Sequence, residues 1–226
     1  MNDPRRWSAV VVFAIAMALL EAAVVTYLRT LLDRVDPYQP SPLPVPSWLM
    51  HIELARELSA VIMIGSVAWL AGYSGRARFG YFLLAFGTWD IFYYVFLAPM
   101  SGWPRSVLDW DVLFLIPLPW WGPVLAPVLI AALMVAGGSL ITQFGKGESA
   151  LWPRPAWWLV SLAGALLALY VFMADAIRAP EWTEEALAQI LPVTFNWQLF
   201  SLALVLMSTP IANMFLQLGP GANRKI

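Results

Sequence analysis

The chain has 226 residues, of which 61% are hydrophobic and only 12% are charged, and its formal net charge is −1. A soluble domain has about 45–50% apolar and about 25% charged residues, so both fractions indicate a protein that crosses a lipid bilayer several times. The near-neutral charge excludes a basic nucleic-acid-binding surface. The absence of cysteine excludes disulfides, thiolate nucleophiles and iron–sulfur clusters, and the single histidine, His51, excludes bis-histidine haem and three-histidine zinc sites. We therefore expect no bound cofactor.

The first apolar segment runs from about residue 7 to residue 32. Arg5 and Arg6 precede it, as basic residues precede the apolar core of a secretory signal. The segment is too long for such a signal, contains Glu21 and has no clear small-residue cleavage site. A spanning helix needs about 20 apolar residues, so we predict a retained transmembrane helix.

A proline-rich stretch separates this segment from two more apolar segments. Five prolines between residues 37 and 46 predict an extended strap, because proline fixes φ and has no amide hydrogen to donate. The second and third spans are predicted at 48–73 and 80–100, joined by a short basic link at 74–78.

The fourth apolar segment, residues 108–142, is too long for one straight span and is interrupted by prolines at 117, 119, 123 and 127. It predicts a short or re-entrant half-helix, a break around Pro117-Leu118-Pro119 and a full span starting at Trp120. Non-helical backbone at membrane depth is tolerated only where protein or a water-filled cavity satisfies it. The alternative is a proline-rich elbow that binds nothing.

The last two spans are predicted at 156–177 and 193–218, with a short surface helix between them at 183–189, capped by Thr183. The predicted fold is therefore all-α: a polytopic integral membrane protein with about six transmembrane helices, forming a single transmembrane domain over residues 1–226.

Six spans place both termini on one side of the membrane, and basic residues indicate which side. By the positive-inside rule, the side richer in arginine and lysine faces the cytoplasm. We therefore expect a bacterial inner (plasma) membrane protein with cytoplasmic termini and an outward-facing proline-rich strap. The basic residues assigned to the terminal side are Arg5, Arg6, Arg76, Arg78, Lys146, Arg154, Arg224 and Lys225.

Four acidic residues interrupt the apolar segments, although a charge at the bilayer centre costs about 2.5–3.5 kcal/mol. Helical rise places Glu53 about 8 Å and Glu57 about 14 Å from Trp48, at the outer end of the second segment. It places Asp90 about 14 Å from Tyr81, near the start of the third. Glu21 lies in the outer half of its own segment by the same measure. All four carboxyl groups are thus predicted to converge between the midplane and the outer surface.

The predicted ligand-binding site combines these acidic residues with polar groups at the same depth. Glu53, Arg56 and Glu57 share one helix face, because residues three and four apart are neighbours on a helix. No catalytic residue is predicted, and a metal at the site is left open. The site residues are Glu21, Glu53, Arg56, Glu57, Asp90, Tyr94 and Asp111.

Ordinary structural pairing is the alternative to a binding site. Glu53 with Arg56, and Glu21 with Arg29, could be ordinary structural ion pairs. No arginine then remains for Glu57 and Asp90, so these two carboxyl groups would be protonated or would meet a cation or a basic group of a ligand or partner.

Binding or transport of a small solute or cation is the favoured function. The main alternative is an accessory or assembly subunit of a larger membrane complex; a homodimer is a further expected partner, besides the bilayer itself. A lipid-modifying membrane enzyme ranks last, because no serine–histidine arrangement suggests nucleophilic catalysis.

Overall fold

The computed structural model describes residues 3–39, 47–114, 116–144, 151–179 and 191–218. In this part of the chain, six helices are long and apolar enough to cross a membrane, as predicted for a polytopic membrane protein. The secondary structure elements are α1 (Pro4–Leu31), α2 (Ser47–Ala71), α3 (Gly75–Ser101), β1 (Trp110–Phe114), β2 (Trp120–Pro123), α4 (Leu125–Phe144), α5 (Pro155–Ile177) and α6 (Trp197–Leu218).

The fourth segment differs from its prediction. Instead of a half-helix, β1 pairs with β2 as an antiparallel hairpin, with Asp111 opposite Gly122 and Val112 opposite Trp121. The full span begins at Leu125 and not at Trp120. The reason is local: the prolines between the strands cannot continue a helix, and a run of aromatic and β-branched residues favours extended backbone. The all-α prediction therefore holds for the six spans, but it missed this hairpin.

Hydrogen bonds fix the hairpin to the start of α4. The Asp109 carboxylate accepts from the backbone N–H groups of Arg105 and Ser106, at 2.7 and 3.2 Å. The backbone N–H of Val124 donates to the Asp109 carbonyl oxygen at 3.0 Å. These contacts close the base of the hairpin and set how β1 enters the helical bundle.

The segment that follows α1 covers the hairpin. The Tyr38 hydroxyl donates to the carbonyl oxygen of Pro192 at 2.7 Å, and its ring stacks on Trp110 with a centroid distance of 6.1 Å. We call this end of the bundle the hairpin end. The predicted strap falls mostly, and the predicted helix at 183–189 entirely, outside the described residues.

Helix α3 lies at the centre of one half of the bundle. Its residues Leu84 and Ala85 are fully buried against α1 and α2, together with Ala14, Ala60 and Ile64. This apolar cluster fills the bundle at the end away from the hairpin. Helices α5 and α6 form the other half around a separate aromatic cluster that includes Phe172 and Phe200.

Glycines allow α3 and α4 to pack in backbone contact. A Cβ atom at Gly138 would lie 2.5 Å from the carbonyl oxygen of Gly80 and 2.7 Å from the backbone nitrogen of Leu84. Contacts this short cannot be relieved by rotating a side chain. Small residues at such interfaces are the usual basis of close helix packing in membranes.

We expect Gly138→Ala to destabilise the protein by about 1–3 kcal/mol, because the new methyl group forces α3 and α4 apart. Gly65→Ala is the matched control, since a Cβ at Gly65 on α2 has no atom within 4 Å. Thermal unfolding in detergent checks this prediction. Equal melting temperatures for the two variants would contradict it.

Candidate functional site

A cavity of about 310 Å³ lies at the hairpin end, between α1, α2, α3 and the hairpin. Its polar lining comes from all four of these elements, while most of its remaining wall is aliphatic or aromatic. All seven residues predicted for the site lie on it: Glu21, Glu53, Arg56, Glu57, Asp90, Tyr94 and Asp111.

Arg56 is the centre of one group of charges in the cavity. Its Nε donates to Glu53 Oε2 at 2.9 Å, and its Nη2 donates to Glu57 Oε1 at 2.8 Å. Its Nη1 forms an ion pair with the buried carboxylate of Glu21 on α1. We call these four residues the Arg56 cluster. One guanidinium group therefore bridges α2 to α1 and neutralises part of three carboxylates.

The pairing of Glu21 with Arg29, the structural alternative considered from the sequence, is not formed. Arg29 lies about two turns nearer the hairpin end than Glu21, and there it meets Asp111 of β1. Glu21 instead faces Arg56 across the helix interface. The sequence could not show this exchange of partners, because it depends on where the hairpin enters.

Asp111 is the centre of the second group of polar side chains. We call Asp111, Arg29 and Tyr94 together the Asp111 cluster. Asp111 Oδ1 accepts from Arg29 Nη2 at 3.0 Å, and Oδ2 accepts from the Tyr94 hydroxyl at 3.0 Å. The Val112 amide donates to Oδ1 at 2.9 Å. The Arg29 guanidinium also lies over the Trp103 ring, 4.4 Å from its centroid. This cluster ties the hairpin to α1 and α3.

Burial raises the pKa of the Asp111 carboxyl above its usual range, although Arg29, the Tyr94 hydroxyl and the Val112 amide each lower it. The effect of removing the carboxylate from water on its pKa is therefore larger than the opposing effect of its partners. The cluster therefore positions the hairpin although burial disfavours the ionised form of its central carboxyl group.

Asp90 differs from the other carboxyl groups of the cavity. It lies on α3 between the two clusters, and within the described part of the chain no hydrogen bond or ion pair engages its carboxyl group. The charged groups that act most strongly on Asp90 are Asp111 and Glu57, and both are negative. Asp90 therefore has no counter-charge committed to it.

Charge in the cavity is unbalanced. Five carboxyl groups line it, against three guanidinium groups from Arg29, Arg34 and Arg56, so two carboxyl groups are in excess. Among the described residues, no group of three or more histidine, aspartate or glutamate side chains is arranged to hold a metal ion. The excess negative charge can be met by protons or by a cation that does not require a full set of oxygen ligands.

Some residues of the cavity were not selected from the sequence. Arg29, Trp89, Tyr93 and Arg34 all line it. Tyr93 could have been chosen, since it lies three residues after Asp90 and shares its helix face. Arg34 follows the end of α1, and no periodicity signals where such a residue lies.

No protein family, curated protein or solved structure matches this chain. What the site can bind must therefore be inferred from its geometry. That geometry is a partly apolar cavity with two clusters of paired charges and one unpaired carboxyl group, Asp90, between them.

Proposed function

We propose that the protein is a membrane carrier and that it binds a small cation in the cavity at the hairpin end. The observation that carries this proposal is the unpaired Asp90 carboxyl group in a cavity with two carboxyl groups in excess. Two of the three arginines that line the cavity are already bonded to other carboxylates, Arg56 to its cluster and Arg29 to Asp111. A cation is the simplest partner that completes such a site.

The position of the cavity supports a carrier. Arg34, Pro37 and Ile116, from the loops at the hairpin end, line its upper part. Below Asp90, the space between α1, α2 and α3 is filled by the apolar cluster around Ala14 and Leu84. A site that can be reached from one end and is closed at the other is what alternating access requires of one of its states.

We also propose that the hairpin end faces the outside of an inner membrane, with both termini in the cytoplasm. Arg5, Arg6, Arg76 and Arg78, which lie at the opposite end from the hairpin, support this orientation through the positive-inside rule. The cavity would then take its cation from the outer side.

Asp90→Asn is expected to lower the apparent affinity for the cation at least tenfold, as measured by how the cation stabilises the purified protein. The substitution removes the only unpaired carboxylate of the cavity among the described residues. Thermal unfolding and tryptophan fluorescence in detergent, titrated with sodium, potassium and ammonium salts against a constant-ionic-strength buffer, provide the measurement. Trp89 lines the cavity and serves as an intrinsic reporter.

Asp175→Asn is the matched control. It makes the same change on α5 near the same end of the bundle, and Asp175 lies outside this cavity. If no cation stabilises the wild-type protein, or if Asp90→Asn responds as the wild type does, the proposed function is wrong.

A further inference from the structure

We propose that the cation is a small organic ammonium ion, with its charged nitrogen at Asp90 and its apolar body against the aromatic wall of the cavity. This inference rests on the proposed function and names the class of its ligand. Three independent features of the cavity support it: its size, the composition of its wall and the arrangement of its carboxyl groups.

The cavity is large for an inorganic ion. Its volume of about 310 Å³ is at the lower end of the range of about 300–1,000 Å³ found for pockets that hold small organic molecules. A dehydrated metal ion would occupy only a small part of this space. An ammonium ion with a short alkyl or aryl group takes up a much larger part of it.

The wall suits a cation that carries apolar surface. The rings of Trp89, Tyr93 and Phe114 line the cavity beside aliphatic side chains such as Val25 and Leu113. Such a wall cannot replace the hydration shell of a metal ion, which binds through several oxygen ligands. Aromatic faces attract organic cations through their ring quadrupoles, and apolar surface is removed from water in the same contact.

The carboxyl groups are spread along the cavity and do not converge on one point. Asp90 lies on α3, Glu57 on α2 and Asp111 on β1, and the last two already bind Arg56 and Arg29. No three of the described acidic residues are placed for a metal. An ammonium group needs only one carboxylate and has up to three N–H donors, and Asp90 supplies that carboxylate.

The orientation of the ligand follows from the order of Asp90 and Tyr93 along α3. Tyr93 lies three residues after Asp90, on the same helix face and toward the hairpin end. Its ring packs edge-on against Tyr94, with centroids 4.9 Å apart, so Tyr94 restrains its orientation. The ligand would therefore enter with its ammonium group first and leave its apolar part against Tyr93.

The test compares matched ligands on the purified full chain in detergent. Isothermal titration calorimetry is carried out with benzylammonium, butylammonium, sodium, potassium and magnesium chlorides, and with benzyl alcohol as the uncharged analogue of benzylammonium. We expect saturable binding of both ammonium ions, at least tenfold tighter than sodium or potassium, and no saturable binding of benzyl alcohol.

Two variants then assign the two parts of the ligand. Asp90→Asn is expected to lower the affinity for both ammonium ions at least tenfold. Tyr93→Leu is expected to lower the affinity for benzylammonium about tenfold, and that for butylammonium less. Phe114→Leu repeats the aromatic test on the hairpin, and gel filtration shows whether each variant is folded.

The outcomes separate the inference from the proposed function. If sodium, potassium or magnesium binds in an Asp90-dependent manner as tightly as the ammonium ions, the ligand class is wrong and the cation site remains. If benzyl alcohol binds as tightly as benzylammonium, the cavity is simply an apolar pocket and the inference fails. If no cation binds in an Asp90-dependent manner, the proposed function fails as well.

Discussion

Replacing Arg56 by methionine is expected to lower the free energy of unfolding by about 3 kcal/mol, because one substitution leaves three carboxylates without their shared counter-charge. This figure is at the lower end of the range of about 3–5 kcal/mol for breaking a buried ion pair, since the Arg56 side chain is 20% exposed. Methionine retains most of the apolar stem of arginine, so the loss reports on charge more than on packing.

The shape of the cationic group at position 56 matters as well as its charge. Arg56→Lys should recover only part of the loss, because an ammonium group cannot reproduce the fork with which Arg56 contacts several carboxylates.

Unfolding of the purified protein in mixed micelles, followed by tryptophan fluorescence, measures these differences. Arg105→Met is the control, since the Arg105 side chain is exposed at the same end of the bundle. A stability loss for Arg56→Met no larger than that for Arg105→Met would contradict this role of Arg56.

The Arg56 cluster also anchors one end of α2. Among the α2 side chains that the structure describes, the buried ones are Ala60, Ile64 and Ala68, all in the half away from the hairpin. The half nearer the hairpin contains Glu53 and Arg56, and Arg56 joins it to Glu21 of α1 through an ion pair. Charge pairing at this end, and apolar packing at the other, therefore hold α2 in place.

The six spans could be predicted because hydropathy and length suffice to define them. The convergence of Glu21, Glu53, Glu57 and Asp90 on one cavity could be predicted as well, because helical rise and alternating direction set the depth of each residue. Both properties depend on distance along a helix, which the sequence contains directly.

The partners of these carboxyl groups could not be predicted in the same way. Which arginine meets Glu21 depends on the rotation of α1 and α2 relative to one another, and depth does not fix rotation. Asp111 reaches Arg29 only because residues 110–123 form a hairpin. A short apolar run between prolines has too little periodicity to distinguish a strand from a half-helix.

Asp111→Asn is expected to destabilise the protein by about 3–5 kcal/mol, because it leaves Arg29 buried without a counter-charge. Arg29 and Asp111 are only 14% and 3% exposed at their side chains, so solvent screens the remaining charge weakly. Tyr94→Phe removes one hydrogen bond to the same carboxylate and should cost less, about 1.5–3 kcal/mol.

The elevated pKa of Asp111 sharpens this prediction. Since burial raises that pKa despite Arg29 and Tyr94, desolvation of the carboxylate offsets much of the attraction that Asp111 gains from its partners. The cost of Asp111→Asn should then come mainly from the orphaned guanidinium, so adding Arg29→Met to the variant should restore part of the lost stability. Additive losses in the double variant would show that each side chain acts independently.

Asp33→Asn provides the matched control for this series. Asp33 is exposed at the same end of the bundle and has a positive φ of 54°, a conformation that asparagine adopts as readily as aspartate. Its substitution should leave the unfolding transition within about 0.5 kcal/mol of the wild type. If Asp111→Asn falls in the same range, the Asp111 cluster does not hold the hairpin over the cavity, and the wall that Phe114 contributes to the ligand site would need another support.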